Sequence, residues 1–264
     1  MQPFERLRYL ARWSDDDDSA LVSEAADCLA GFADDPAGLV VACRRLLAHH
    51  PATGALWWLC ARVLAAPDPA DAAWEAWQLV NDDHTADRLA GLLPFPHDEP
   101  VAVLGWPDVA GAALAERPDL DLVAIRRRTG DDHRRARLAR REASIRIVND
   151  VEACALEPSH LLVEATAAGP HRAVVAGGAG DLLDTLAATG TVAWLVAGAG
   201  RVLPERLFAA MQSELGRDAD EHAPVDVVDL RRFARVAGPS GLAAPDALLR
   251  RVDCPVAPEL LRLS

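Results

Sequence analysis

The apolar pattern of this 264-residue chain changes its period once, across a segment holding three prolines, LPFPHDEP at positions 93–100. Before it, apolar side chains recur every three or four residues, the spacing that gathers them on one helical face. Positions 4–13 form a short amphipathic stretch. Positions 19–32 carry Leu21, Val22, Ala25, Cys28, Leu29 and Phe32 on such a face, and positions 36–48 carry Leu39, Val40, Cys43, Leu46 and Leu47. Pro36, Pro51 and the pair Pro67 and Pro69 each stand where a helix opens, because the N–H that proline lacks has no partner in a first turn. On the helix after Pro69, the residues Trp74, Trp77 and Leu79 are expected to face inward. Asp15 to Asp18 place negative charge at the positive end of the 19–32 helix dipole.

After the prolines the chain alternates short apolar runs, at 101–105, 122–125, 144–148, 161–165, 192–197 and 225–228, with helical stretches at 108–116, 133–141, 179–188 and 204–214. Continuous apolar runs between helices indicate strands buried on both faces. The expected fold class is α/β: an N-terminal helical domain (1–97), then a Rossmann-like, mostly parallel sheet layer with helices on both faces (98–264). No internal repeat is visible.

Composition narrows the chemistry. There are 40 acids against 27 bases, a net charge of −13, and every base is an arginine. Without a lysine amine the chain cannot be a P-loop enzyme, a protein kinase or a Schiff-base enzyme. The acidic balance argues against bulk attraction to nucleic acid or to an anionic membrane. No apolar run reaches the roughly 18 residues of a membrane span. Positions 1–18 lack the apolar stretch of a signal peptide, and the five cysteines form no C-x-x-C pair. A cytoplasmic protein with reduced thiols is expected. Scattered histidines predict neither a metal site nor a cofactor.

Several segments, taken in order, resemble one family: the regulatory alpha, beta and delta subunits of translation initiation factor 2B, with methylthioribose-1-phosphate isomerase and ribose-1,5-bisphosphate isomerase. HPATGALWW at 50–58 is similar to the family's R-P-T-A-V-N-L-F-W. The run VAVLG at 101–105 sits where the family has a strand leading to T-H-C-N-A-G, and RRTGDDHRRARL at 127–138 resembles E-T-R-P-x-x-Q-G-x-x-L. LVEATAA at 162–168 resembles a strand ending V-G-A-D-R-I, VAWLVAGAGRVLP at 192–204 resembles V-P-F-Y-V-A-A-P, and VDCPVAPELL at 252–261 resembles F-D-V-T-P-P-E-L-I. The resemblance runs from about Ser19 to the end.

It implies a homodimer formed through the α/β layer and a site for a phosphorylated small molecule. It also implies, for the family's isomerases, a cysteine and an aspartate that move the proton at a sugar carbonyl. The cysteine's place falls within Gly105, Trp106, Pro107 and Asp108, and the aspartate's place is Thr166. A threonine hydroxyl holds its proton too tightly to be a general base near neutral pH. The Asn-Lys pair falls at Ala176 and Gly177, the arginine before Pro-Thr is His50, and the R-G-A signature has no counterpart at Ser19 and Ala20. The expectation is therefore a non-catalytic, dimeric, regulatory or metabolite-sensing protein.

Its expected ligand is a phosphorylated metabolite or nucleotide. The glycines Gly177, Gly178 and Gly180 precede a helix and can bring backbone N–H groups to an anion, although a plain flexible turn is the simpler reading. The turn Gly198-Ala199-Gly200 leads to Arg201, a fork of donors for phosphate. Thr166, Arg127 and Arg128 complete the expected ligand set, with His50 at the entrance. Arg127 and Arg128 belong to a block with Arg126, Arg134, Arg135, Arg137, Arg140 and Arg141, for which a solvated helix paired to Asp131, Asp132 and Glu142 is the simpler reading, beside a sugar-phosphate or nucleotide grip or an RNA contact. The alternative is a sugar-phosphate isomerase with relocated catalytic residues, Glu164, Asp108 and His171.

Overall fold

The computed structural model describes residues 3–13, 18–126, 145–217, 225–247 and 252–263. Among these, the proline-opened apolar faces become α1 Pro3–Leu10, α2 Asp18–Ala30, α3 Pro36–His49, α4 Gly54–Ala65, α5 Pro69–Asn81 and α6 Thr85–Leu92. Carboxylates close the first turns. Asp35 accepts from the Gly38 amide at 2.9 Å, and Asp68 from the Ala70 and Asp71 amides at 3.0 and 3.1 Å.

Two expectations about these helices are corrected. Pro51 does not open α4, which starts at Gly54; the intervening turn is pinned by the Trp57 indole, which donates to the Pro51 carbonyl at 3.1 Å. Trp74 and Leu79 do not face inward: they are 55 % and 45 % exposed, and Trp74 stacks on Trp77 with centroids 4.6 Å apart. The inner side of α5 is Ala72, Ala73 and Ala76. These small side chains let α5 lie close to α2, leaving no room for an indole between them.

The sheet follows, with β1 Pro100–Leu104, α7 Asp108–Ala115, β2 Asp121–Ile125, β3 Arg146–Val148, α8 Asp150–Leu156, β4 His160–Ala168, β5 Arg172–Ala176, α9 Ala179–Ala188, β6 Val192–Val196, α10 Glu205–Leu215, β7 Val225–Asp229, β8 Arg235–Gly238 and β9 Gly241–Ala243. Its nine strands run β3-β2-β1-β4-β6-β8 in parallel, with β9 antiparallel at the end and an antiparallel branch β4-β5-β7. The fold is α/β with a mostly parallel sheet, as the apolar runs predict. The strands β5, β8 and β9 are additions to that reading. The expected helix at 133–141 lies outside the described residues.

Alternation along each strand builds the two faces. Val101, Val103, Leu162, Trp194 and Val196 pack under α6 and α7, while Ala102, Leu161, Val163 and Leu195 pack under α8 and α9. A third core joins α1 to α5 with Ala167, Val174, Leu203, Leu207 and Phe208.

At the start of β4, His160 stacks on Phe95 at 4.0 Å and meets the edge of Trp194. Burial pushes its pKa below the ordinary histidine value, against a smaller opposing pull from Glu99. The unfolded chain therefore binds this proton first as pH falls. Stability from His160 is expected to be intact above the unfolded value of about 6.5 and to decline as pH drops below it. Urea midpoints across that range should fall less steeply for His160→Phe than for the parent chain. Equal slopes would show that His160 is not responsible.

Candidate functional site

The parallel strands deliver their C-terminal ends to one rim, and the order reverses beside β1, where ligands collect in sheets of this type. At the end of β1, Gly105 adopts φ +69° and the chain turns through Trp106 and Pro107 into α7, whose first residue is Asp108. From β4, Glu164 reaches the start of that helix. Its Oε2 accepts from the Val109 and Ala110 amides at 3.0 and 2.8 Å. Its Oε1 accepts from Arg201 Nη1 at 2.5 Å, and the same nitrogen donates to the Ala165 carbonyl at 3.0 Å. The two side chains are only 7 % and 9 % exposed, and Arg201 Nη2 lies 3.9 Å from Asp18 Oδ2. Burial works against the guanidinium charge, but Glu164, Asp18 and Asp108 together outweigh it and raise the Arg201 pKa above its ordinary value.

The glycine turn before Arg201 is packed against the helical layer. Gly200 has φ +71°, and a Cβ there would lie 2.9 Å from the Trp58 ring. Asp83 fastens the turn from the other side: its Oδ2 accepts from the Ala199 amide at 2.7 Å, while Oδ1 accepts from the Thr85 amide at 2.9 Å and from the Thr85 hydroxyl. In the other glycine turn, Gly178 caps α9 with φ +86°. The Gly180 amide there donates to Asp226 Oδ2 at 2.8 Å, and Arg232 donates to the Gly180 carbonyl at 3.0 Å.

The rim thus brings Glu164, Arg201 and Asp108 together. The other sequence candidates lead elsewhere. The Thr166 hydroxyl donates to the Val174 carbonyl at 3.4 Å. The His50 ring donates to the Leu10 carbonyl at 2.7 Å, holding α1 to the end of α3. His171 is exposed in the β4–β5 turn, where its carbonyl accepts from the Leu230 amide at 2.9 Å. The contacts of Gly180 run to Asp226 of β7 and to Arg232 rather than to Arg201, and the carbonyl of Gly178, beside Gly177, accepts from the Leu182 amide at 3.2 Å within α9. Arg127 and Arg128 lie outside the described residues, as does the rest of the arginine block apart from Arg126.

Where the sequence suggests donors waiting for an outside anion, the chain supplies its own carboxylates. An incoming phosphate would have to displace Glu164 at Arg201 or Asp226 at Gly180. Open space lies one strand further along. A cavity of about 250 Å³ sits at the ends of β6 and β8, lined by Trp58, Gly198, Gly200, Gly238, Ser240 and Asp253 among others. Trp58 Nε1 donates to the Asp253 carbonyl at 2.6 Å. Asp83, Trp58 and Asp253 are absent from the sequence candidates. Only Asp83 carries a local signal, an acid two residues before the threonine that starts a helix.

No protein-family model matches the chain, and no curated protein matches it by sequence. Solved structures do match. The translation initiation factor eIF-2B of Pyrococcus horikoshii aligns with a TM-score of 0.73 at 13 % identity, covering 92 % of this chain and 97 % of that one. The eIF2B beta2-delta2 complex of Chaetomium thermophilum, a tetramer, aligns at 0.68 and 14 %, covering 94 % and 93 %. The 5-methylthioribose 1-phosphate isomerase of P. horikoshii aligns at 0.61 and 15 %, covering 95 % and 87 %. The chain has the fold these proteins share.

Proposed function

We propose that this chain is a non-catalytic, factor-2B-like regulatory protein that acts as a homodimer and senses a small molecule. The observation that carries the non-catalytic reading is the commitment of Glu164. One of its oxygens serves two α7 amides and the other serves Arg201. A general base must reach the substrate proton, but the Glu164 side chain is only 7 % exposed with both oxygens engaged, and His171, its expected companion, lies in the β4–β5 turn against Leu230. The dimer reading is supported by the exposed apolar Ile147 on edge strand β3 and Val151 in the helix that follows, since a two-fold interface needs one self-complementary patch. A phosphorylated ligand at Arg201 is the narrower form of the reading, and it requires Glu164 to release the guanidinium.

Purified protein incubated with methylthioribose 1-phosphate and with ribose 1,5-bisphosphate is expected to leave both unchanged by phosphorus NMR. Turnover of either, lost in Glu164→Gln, would overturn the non-catalytic reading. Light scattering should give twice the chain mass, and a monomer at high micromolar concentration would count against the dimer.

A further inference from the structure

We propose that the cavity at the ends of β6 and β8 binds a small amine with a flat apolar body and rejects anions. The proposal rests on the small-molecule reading above and assigns that molecule a place and a charge. The volume, about 250 Å³, equals that of about eight waters at roughly 30 Å³ each, room for a two-ring molecule. The position is the C-terminal end of parallel strands, outside the places where the family resemblance puts its catalytic cysteine and aspartate.

Chemistry sets the class. The walls are glycine backbone, the indole of Trp58 and the side chains of Val202 and Val236, and Asp253 is the one ionisable residue among those lining the cavity. Among the described residues no arginine lines it. Of the arginines beside its walls, Arg201, between the lining residues Gly200 and Val202, is held by Glu164. Arg62 lies over Trp58 at 5.1 Å and is shared between Asp253 at 3.3 Å and Glu75 at 3.4 Å. Arg88 donates to the Pro239 carbonyl of the β8–β9 hairpin. Asp83 adds a further negative charge behind Ala199. An anion entering this space would lose its hydration and meet the Asp253 carboxylate, with no guanidinium lining the cavity among the described residues. An ammonium at the mouth would meet the Asp253 carboxylate, whose side chain is 81 % exposed there. The apolar body would be buried against Trp58 and the two valines.

Tryptamine and indole-3-acetate test this directly, because they share a body and differ in charge. Saturation-transfer NMR and calorimetric titration of the full chain should show tryptamine binding at least tenfold tighter than indole-3-acetate. Inorganic phosphate should not compete. Asp253→Asn should remove the preference between the two probes. Ala243→Phe, which fills the cavity from edge strand β9, should abolish tryptamine binding while the thermal transition persists. Equal affinity for the two probes, undiminished binding by Ala243→Phe, or no tryptamine binding at millimolar concentration would each overturn the proposal. If Ala243→Phe fails to fold, Asp253→Asn decides alone, because its exposed side chain can be changed with the cavity intact. Sugar-phosphate turnover would overturn the non-catalytic reading and leave this outcome standing.

Discussion

Glu164→Ala is expected to lower the unfolding free energy by about 3–5 kcal/mol, the loss seen when one partner of a buried ion pair is removed. The guanidinium of Arg201 would stay in the interior with Asp18 at 3.9 Å as its nearest remaining carboxylate among the described residues. The Val109 and Ala110 amides at the start of α7 would lose their acceptor. Glu164→Gln keeps an oxygen for those amides but not the charge, so its loss should fall between those of Glu164→Ala and the parent. Arg201→Met should cost less than Glu164→Ala, because Glu164 would still be held by two amides. The double variant Glu164→Ala with Arg201→Met should lose less than the sum of the single changes. Urea midpoints at unchanged m-value give all four numbers. A loss under about 1 kcal/mol for Glu164→Ala would place the pair in the class of solvated surface bridges. It would also remove the ground for treating Glu164 as structural.

Both members of this pair are legible in the sequence as candidates, one at a strand end and one after a glycine turn. Their partnership is not. They stand 37 residues apart and meet because β4 and β6 pair in parallel with Glu164 opposite Val196, a register that no local pattern encodes. The same limit applies to the glycine turn at 177–180. Its sequence allows backbone amides to face an anion, beside the simpler reading of a flexible turn. The anion is Asp226, 46 residues from Gly180, brought there by the antiparallel pairing of β5 with β7.

Element positions fare better, because periodicity is local. α9 occupies 179–188 as read, and the expected apolar runs at 101–105, 122–125 and 192–197 become β1, β2 and β6 within one residue at each end. β8 and β9 escape notice because four and three residues are too few to establish an alternation. Trp74 shows the remaining weakness. α5 carries apolar residues on two sides, and period alone does not say whether the alanines or the indole faces the core.

Trp57→Ala is expected to cost about 3–5 kcal/mol, the range for emptying a buried tryptophan site, and to do so in a single unfolding transition. Trp57 is fully buried and its indole N–H holds the Pro51 carbonyl at 3.1 Å. The core around it contains Leu29, Leu46 and Leu56 from the helices together with Ala167, Val174, Leu203 and Leu207 from beyond the proline segment. At Gly54 the helix meets the sheet so closely that a Cβ would stand 2.5 Å from the Thr166 carbonyl oxygen. The proposed division into 1–97 and 98–264 is on this view a division of architecture, and the two parts share one core. A cavity at Trp57 then weakens both together. Tryptophan fluorescence, with indoles on both sides of the proline segment, and far-ultraviolet circular dichroism should give coincident urea curves for the parent and the variant. Two separate transitions, with only one shifted by Trp57→Ala, would show instead that the helical part folds by itself and that the contacts of Ala167 and Leu207 with it contribute little to holding the chain together.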